Sequence, residues 1–340
     1  MRVAVYYNNK DVRLQEMPVP SIDQDEMLVK VIASGICGSD VMEWYRLSRA
    51  PLVLGHEIAG IISKIGSRVK KYQVGDRVFV SHHVPCNTCH YCLSGHHTVC
   101  DTLRTTNFDP GGFAEYLRVP AINVDRGVFR LPDTMSFDQG AFIEPLACVY
   151  RAQRQAGIKP GQSVLVIGSG ITGQLHIKLA SALGAGKIIA ADINQYRLEL
   201  ARKSGAEVID ANDDVARRIK ELNADTLVDL VIICTGAVPA IDQAFRCVDR
   251  GGTILFFASP KPGVTIPLPV FDIWKNEVSI ANSYGASPLD ISTAIEMIGS
   301  KRVIVDDMIT HKLGLAQTKK GFELVAEAGE SMKVIIEPQR

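Results

Sequence analysis

The sequence predicts an α/β domain built on a doubly wound parallel sheet, together with a second domain that is mainly β-structure. Three observations lead to this fold class. Short β-rich runs separated by glycine and proline fill the first 150 residues. Beyond Pro160, apolar runs alternate with helical segments. The length of 340 residues is more than one hydrophobic core usually serves, so we expect two domains.

The N-terminal β-rich runs are Val3–Tyr7, Met27–Ala33, Ile58–Ile65 and Arg77–Ser81. Glycine and proline residues interrupt the chain between them, which is typical of a small barrel or an irregular β domain. No clear helical period precedes residue 137. We therefore expect the first 150 residues to be organised by strands and turns.

The doubly wound part begins with Ser163–Ile167, a continuous apolar run of the kind found in strands that are buried on both faces. A glycine turn and a helical stretch to Leu183 follow. Alternation of strands and helices favours a parallel sheet with helices on both sides. Further strands are predicted at Lys187–Asp192, Leu227–Thr235 and Gly252–Ala258, and helices at Gln195–Ser204 and Pro239–Val248.

The C-terminal segment is too short for a third domain. Helical patterns cover Leu289–Ile298 and Leu315–Ala328, and Lys333–Ile336 has the character of a short closing strand. We predict that this segment returns to the first domain, which makes that domain discontinuous. The expected domains are therefore residues 1–150 with 284–340, and residues 151–283.

Composition and charge exclude several classes of protein. Lys plus Arg equals Asp plus Glu, at 37 each, so the basic excess of a nucleic-acid-binding protein is missing. No run approaches the ~18 apolar residues of a membrane span, and the first residues lack the apolar core of a signal peptide. We therefore predict a cytoplasmic protein that binds neither nucleic acid nor membranes, and whose eight cysteines do not form disulfides.

A glycine-rich loop follows the first strand of the parallel sheet. Its sequence is Gly168-Ser-Gly170-Ile171-Thr172-Gly173, and it lies between an apolar strand and a helix, the setting that a dinucleotide site requires. The glycines permit a tight turn, close approach of a pyrophosphate and close packing of helix on strand. N–H groups at the start of the helix would bind the phosphates.

The preference for NAD over NADP rests on Asp192, at the end of the next predicted strand. A carboxylate at this place accepts hydrogen bonds from the adenosine ribose and repels a 2′-phosphate. Arg197 follows closely and either contacts the ribose or adenine or is a solvated helix charge. The sequence therefore predicts NAD as the cofactor.

Four cysteines crowd into one lobe, residues 83–101, with the spacing Cys86-x2-Cys89-x2-Cys92-x7-Cys100. Four soft thiolates satisfy tetrahedral Zn²⁺ and leave no open position, so we predict a structural zinc. An iron–sulfur cluster uses different spacings, and a disulfide-bonded lobe conflicts with the cytoplasmic prediction. A nucleic-acid-binding zinc module is disfavoured because residues 81–101 contain no lysine or arginine.

A second metal site is indicated by residues that lie far apart in the sequence. Cys37 is found in Gly-Ile-Cys-Gly-Ser-Asp, His56 and Glu57 in Gly-His-Glu, and Glu144 precedes Pro145. Each residue alone could be structural, but glycine-rich surroundings allow their side chains to converge. Three protein ligands with one exchangeable position are the arrangement of a catalytic zinc.

With these motifs the chain resembles the zinc-dependent medium-chain dehydrogenase/reductase family over essentially its whole length. Within that family it is most similar to the sorbitol (polyol) dehydrogenase and L-threonine 3-dehydrogenase branch. The motifs that carry the resemblance are GICGSD (35–40), GHE (55–57), the four-cysteine lobe, FIEPLACV (142–149) and GSGITG (168–173).

The resemblance implies a GroES-like catalytic domain, which carries the structural-zinc lobe, and a Rossmann NAD-binding domain, with the substrate cleft between them. It implies that Cys37 and His56 bind a catalytic zinc, and that Glu57 and Glu144 are ligands or hold water at it. Ser39 would relay a proton, and His83 would lie near the active site. Thr235 and Ser283 are predicted to contact the cofactor. A homotetramer is the implied assembly, with a dimer as the next possibility.

The predicted reaction is reversible oxidation of a secondary alcohol of a polyol or sugar, with hydride transfer to NAD. Two alternatives remain: amino-alcohol oxidation of the L-threonine 3-dehydrogenase type, and a zinc- and nucleotide-binding sensor without turnover. The connection from Asp40 to His56 is short for a polyol dehydrogenase. Trp44, Tyr45 and Arg46 in that connection either line the substrate cleft or have a packing role.

Overall fold

The computed structural model describes all 340 residues, Met1 to Arg340. The chain divides into two compact units. One consists of Met1–Ala147 together with Ala286–Arg340, and the other of Cys148–Gly285. The chain therefore leaves the first unit once and returns to it for its last segment.

The sixteen strands have the following bounds. They are β1 Arg2–Asn8, β2 Asp11–Glu16, β3 Met27–Gly35, β4 Leu52–Val53, β5 Glu57–Ile65, β6 Arg77–Val80, β7 Tyr116–Val119, β8 Val128–Arg130, β9 Ser163–Ile167, β10 Lys187–Asp192, β11 Glu207–Asp210, β12 Val228–Ile233, β13 Val248–Phe256, β14 Ser279–Asn282, β15 Ile309–Gly314 and β16 Lys333–Glu337.

Thirteen α-helices accompany them. They are α1 Glu43–Arg46, α2 His90–Leu93, α3 Asp101–Thr105, α4 Ala121–Arg126, α5 Phe137–Gly140, α6 Ile143–Gln155, α7 Ile171–Ala182, α8 Gln195–Lys203, α9 Val215–Leu222, α10 Val238–Cys247, α11 Val270–Lys275, α12 Pro288–Gly299 and α13 Thr318–Glu327. No helix is both long enough and apolar enough to cross a membrane.

The first unit is built on a seven-stranded, mostly antiparallel sheet in the order β15-β16-β3-β5-β6-β8, with β7 also paired to β3. A smaller sheet, β2-β1-β4, completes it. Strand β16 pairs antiparallel with β3, so the end of the chain is joined to a strand formed some 300 residues earlier. Alternate residues of the central strands, such as Val29 and Val31, are fully buried in one apolar core.

The first unit contains four short helices before residue 137, where the sequence shows no helical period. Helix α4 spans six residues, and α1, α2 and α3 are shorter still. Helices of one turn show too few repeats for a 3.6-residue hydrophobic period to be visible in the sequence. They form because the surrounding sheet and lobe fix the backbone on either side of them.

The second unit is a six-stranded parallel sheet in the order β11-β10-β9-β12-β13-β14. Its central strands bury both faces, since Leu165 and Ile167 belong to one apolar core and Val164 and Val166 to another. Helices cover the two faces, as in a doubly wound fold. This arrangement confirms the doubly wound parallel sheet of the predicted fold class.

Candidate functional site

A tight turn joins β9 to α7. Gly168 has a φ of 91°, in the region that favours glycine, and the helix begins at Ile171. A β-carbon on Gly173 would lie 2.0 Å from the carbonyl oxygen of Gly168, so this packing requires glycine. Because no side chain caps the helix at Gly170, its first N–H groups are available to a pyrophosphate. The residues at this turn therefore fit a dinucleotide.

Asp192, the last residue of β10, is buried against this turn. Its Oδ2 accepts a hydrogen bond from the backbone N–H of Ser169 at 2.6 Å, and its Oδ1 accepts one from Asn194 N–H at 2.9 Å. Arg197 lies on the other side, with its Nη1 3.7 Å from where a β-carbon on Gly170 would be. Both predicted cofactor residues thus lie at the glycine turn, and the carboxylate also fixes the backbone of the turn.

The other predicted cofactor contacts follow strands of the same sheet. The Cβ of Thr235, after β12, lies 3.3 Å from where a β-carbon on Gly168 would be. Ser283 follows β14, and its N–H donates to the carbonyl of Phe256. Parallel strands end at one edge of the sheet, so these residues share the edge that carries the glycine turn.

The lobe cysteines form one compact group. None of the eight cysteines is in a disulfide, and the Sγ atoms of Cys86, Cys89, Cys92 and Cys100 lie within 4.8 Å of one another. Hydrogen bonds from the side chain and N–H of Thr88 and from the N–H of Cys89 lower the pKa of Cys86 to about 5. Four converging sulfurs, one already stabilised as a thiolate, are a donor set suited to zinc. The disulfide alternative is not adopted.

We expect Cys89→Ser to lose about one zinc ion per chain and to melt at a lower temperature, because structural zinc binding is coupled to folding of the loop that it closes. Elemental analysis and thermal unfolding measure the two effects. Cys148→Ser, in helix α6 and outside both metal groups, is the matched control and should keep its zinc. Unchanged zinc content and unchanged melting of Cys89→Ser would contradict a structural site.

A second donor group lies in the main sheet of the first unit. The ligand atoms of Cys37, His56 and Glu57 lie within 4.8 Å of one another. Sheet register explains this convergence: Gly35, at the end of β3, pairs with Glu57, the first residue of β5. Cys37 follows β3 by two positions, and His56 immediately precedes β5. One sulfur, one imidazole and one carboxylate are a donor set that fits a catalytic zinc.

Asp40 organises this donor group, and sequence reasoning did not assign it a role. It is fully buried, its Oδ2 accepts from the N–H of Cys37 at 3.1 Å, and its Oδ1 lies 3.4 Å from Nδ1 of His56. Burial disfavours the charged imidazole, but Asp40 and Cys37 together outweigh it and raise the pKa of His56 well above its ordinary value. Because the contact with Asp40 occupies Nδ1, a metal would bind at Nε2 and displace the proton there.

Glu57 forms a buried ion pair with Lys333, and sequence reasoning missed this partner as well. Both side chains are 1% exposed, and the ammonium donates to Oε2 of Glu57. Lys333 is the first residue of β16, and the pairing of Ile335 with Gly35 brings it to the end of β3. The ion pair compensates a carboxylate that would otherwise be buried without a cation.

Ser39 and Arg46 lie beside the donor group. The hydroxyl of Ser39 donates to Sγ of Cys37 at 3.4 Å and accepts from Nη2 of Arg46 at 3.1 Å. The same guanidinium donates to the carbonyl of Ser39 at 2.9 Å and contacts Asp40 at 3.3 Å. Arg46 therefore holds both the candidate proton relay and the carboxylate that orients His56.

Two histidines complete this side of the group. His83 donates from Nδ1 to the carbonyl of Leu103 in helix α3, and burial lowers the pKa of His83. The His82 ring contacts both other rings, with its centroid 4.9 Å from that of His56 and 4.0 Å from that of His83. His82 was not predicted as a site residue, and its only sequence signal was its position beside His83.

Glu144 is the remaining predicted ligand. It is the second residue of helix α6, in the first unit, and it is not among the three residues whose ligand atoms lie within 4.8 Å of one another. Its assignment as a zinc ligand stays a prediction.

Comparison with known proteins identifies the family. Residues 23–133 match the family described as alcohol dehydrogenase GroES-like domain, and residues 172–300 match the family described as zinc-binding dehydrogenase. Sorbitol dehydrogenase of Bacillus subtilis (strain 168) is 33% identical to this chain over 358 residues, covering 100% of this chain and 98% of the relative. D-xylulose reductase A of Aspergillus niger is 32% identical over 340 residues, covering 96% and 93%.

The fold is shared with solved structures. A protein described as a zinc-binding dehydrogenase from Sinorhizobium meliloti 1021, crystallised with bound NADP, superposes with a TM-score of 0.89 at 28% identity over 99% of each chain. Full-length relatives above 30% identity, the two family matches and this shared fold lead to one conclusion. The chain is an oxidoreductase of the zinc-dependent medium-chain dehydrogenase/reductase family and belongs to its sorbitol (polyol) dehydrogenase branch.

Proposed function

We propose that this enzyme reversibly oxidises a secondary alcohol of a polyol or sugar to a ketone and transfers the hydride to NAD. The observation that carries the proposal is the convergence of Cys37, His56 and Glu57, three ligands that leave one position of a tetrahedral zinc for substrate. Relatives named for sorbitol and D-xylulose favour this substrate class over the amino alcohol of the L-threonine alternative.

Two zinc ions are proposed for each chain. Cys37, His56 and Glu57 would hold the catalytic ion, with Glu144 as a further candidate ligand, and the four lobe cysteines would hold the structural ion. When bound, the catalytic zinc supplies a Lewis acid that makes an alcohol hydroxyl more acidic, and bound NAD accepts the hydride. Thiolate ligands need a reducing compartment, which supports a cytoplasmic location.

The protein's own groups would move the proton and fix the geometry. Oxidation of the carbinol releases one hydride, which goes to NAD, and one proton, which Ser39 accepts and passes to solvent. The guanidinium of Arg46 donates to the Ser39 hydroxyl and so favours negative charge on that oxygen. Asp40 keeps the imidazole of His56 in one orientation throughout.

A substrate panel tests the proposal directly. The zinc-loaded chain is mixed with NAD and with sorbitol, xylitol, glucose or L-threonine, and NADH is followed by absorbance. We expect turnover with a polyol or sugar and none after zinc is removed by chelation. Turnover with L-threonine alone would favour the amino-alcohol alternative. NAD binding without turnover of any alcohol would support the sensor alternative and overturn the proposal.

The proposed preference for NAD depends on Asp192. We expect Asp192→Asn to raise the kcat/KM ratio of NADP to NAD at least ~10-fold, because the change removes the charge that repels a 2′-phosphate. Asparagine retains one oxygen that can accept from Ser169, so the turn keeps its shape. Asp192→Ala loses both the negative charge and the hydrogen bond from Ser169. It should therefore also weaken binding of NAD and of NADP. An unchanged cofactor ratio in both variants would remove Asp192 from cofactor selection.

We also propose a homo-oligomer, with a tetramer expected and a dimer next. Strand β14 lies at the edge of the parallel sheet, and its Ile280 is 39% exposed. Helix α11, which precedes the strand in the chain, exposes Phe271 at 65% and Trp274 at 74%. Exposed apolar groups at an unpaired strand edge are typical of a surface that another chain covers. Sedimentation velocity of the full chain would show a monomer if this proposal is wrong.

A further inference from the structure

The connection between Asp40 and His56 folds back onto the metal group and carries two arginines. Arg46 ends helix α1, and Arg49 ends the short 3₁₀ turn that follows it. Both guanidiniums lie over one aromatic ring, that of Tyr45, with the Arg46 carbon 4.6 Å and the Arg49 carbon 5.7 Å from the ring centroid. One tyrosine therefore fixes the two cations beside each other.

The two arginines differ in what they bind. Arg46 is mostly buried, with 12% of its side chain exposed, and it is engaged by Asp40 and by the Ser39 hydroxyl. Arg49 is exposed and has no ion-pair partner in the structure. The acidic residue of α1, Glu43, accepts instead from the backbone N–H of Asn9 at 3.1 Å. No carboxylate of the protein therefore accepts a hydrogen bond from the Arg49 guanidinium.

Arg49 is a positive charge that no neighbouring acidic side chain of the metal group balances. Asp40 is paired with Arg46, and Glu57 with Lys333, so each buried acid already has its own cation. The positive charge of Arg49 also acts on a side chain beside the donor group. Burial lowers the pKa of His83 and its hydrogen bond to the carbonyl of Leu103 raises it, while the charges of His56, Arg46 and Arg49 lower it further.

Aromatic surface lies beside the free guanidinium. Trp44 is 41% exposed, and its ring centroid is 5.8 Å from that of Tyr45. An exposed aromatic face provides a surface for the C–H groups of a polyol chain, and a guanidinium provides paired donors for a carboxylate or a phosphate. Together these side chains could bind a molecule that is a polyol at one end and an anion at the other.

We propose that the substrate is a polyol bearing an anionic group, a carboxylate or a phosphate, and that Arg49 binds this group while the reacting carbinol lies at Cys37, His56 and Glu57. This inference rests on the proposed function and deepens it, because it names the substrate class. It assigns Arg49 as a specificity-determining residue and leaves the reaction itself unchanged.

Matched six-carbon substrates test the inference with the zinc-loaded full chain and NAD. Sorbitol is neutral, gluconate carries a carboxylate and sorbitol 6-phosphate carries a phosphate. We expect kcat/KM to be at least ~10-fold higher for one of the anions than for sorbitol, and to fall with ionic strength for the anion only. The two anions distinguish the carboxylate from the phosphate. Arg49→Gln should lower the ratio of kcat/KM for the anion to kcat/KM for sorbitol at least ~10-fold, mainly by raising KM for the anion. Arg49→Lys should lower this ratio less.

The matched control is Arg13→Gln. Arg13 is also an exposed arginine over a tyrosine ring, 4.2 Å from the centroid of Tyr7, on strand β2 of the same unit. The Arg13→Gln variant should leave kcat and KM for all three substrates unchanged. The inference is overturned if Arg49→Gln changes sorbitol and the anions by the same factor, or changes none of them.

A binding measurement separates failure of the inference from failure of the proposed function. The chain has two tryptophans, so Trp274→Phe leaves Trp44 as the single reporter. Titration with gluconate or sorbitol 6-phosphate should change Trp44 emission, and Arg49→Gln should raise the Kd for the anion at least ~10-fold. An Arg49-dependent Kd without turnover of any polyol would overturn the proposed function alone. Turnover of sorbitol with no dependence on Arg49 would overturn the inference alone.

Discussion

Cys37→Ser is expected to lower kcat by roughly 10³-fold or more while NAD still binds. Metal-assisted charge stabilisation is worth several kcal/mol, and each ~1.4 kcal/mol corresponds to a tenfold change in rate. The glycine turn at residues 168–173 belongs to the other unit, so its binding of NAD does not depend on this cysteine. Steady-state kinetics, a fluorescence titration with NADH and elemental zinc analysis measure the three quantities.

The control for this experiment is Cys148→Ser, which changes the same residue type outside both metal groups. It should retain turnover and both zinc ions. Cys37→Ser should keep the structural zinc and lose the other. Wild-type turnover in Cys37→Ser with its full zinc content would refute the assignment of Cys37, His56 and Glu57 as the catalytic group.

In the protein freed of its catalytic metal, Lys333→Met is expected to lower the stability of the fold by about 3–5 kcal/mol, because it leaves the Glu57 carboxylate buried without a cation. Glu57 and Lys333 stand on strands that come together only in the folded sheet. The lower free energy of unfolding should therefore be measurable by equilibrium unfolding in urea. Lys312→Met is the matched control. Lys312, on neighbouring strand β15, pairs with Asp138, but its side chain is 45% exposed, and such pairs contribute about 0–1 kcal/mol.

A second variant separates the ion pair from general packing effects. Glu57→Gln combined with Lys333→Met removes both charges, and we expect it to recover part of the stability lost in Lys333→Met. Equal destabilisation by Lys333→Met and Lys312→Met would contradict a stabilising role for the buried pair. No recovery in the double variant would assign the loss to packing of the lysine side chain instead.

Strands were predicted best where their residues are buried on both faces. The run Ser163–Ile167 coincides with β9, and Lys187–Asp192 coincides with β10. Strand β11, strand β14 and helix α9 were not predicted. The two strands have four residues each. Strand β11 has one buried residue and β14 has none, so neither carries a continuous apolar signal. Helix α9 has eight residues, and four of them are charged, which hid its apolar stripe in the sequence.

Three of the predicted donor residues converge in the structure, but the residues that support them were not predicted. Cys37, His56 and Glu57 stand in short glycine-rich motifs, so their chemistry was visible in the sequence. Lys333 was missed because a lysine in a closing strand has the composition of an exposed residue. Asp40 stands in the same motif as Cys37, which was its only signal in the sequence. Its contact with His56 is seen only in the folded structure.

The amino-acid sequence alone established which chemistry the chain carries: thiolate and imidazole donors, a glycine turn before a helix, and an acid at the end of the following strand. These features depend on neighbours within a few residues, where spacing and backbone conformation are set locally. The folded structure decided which distant groups meet. Register of β3 with β5 and β16 brings residues 37, 57 and 333 together, and register is a property of paired strands that no single segment contains.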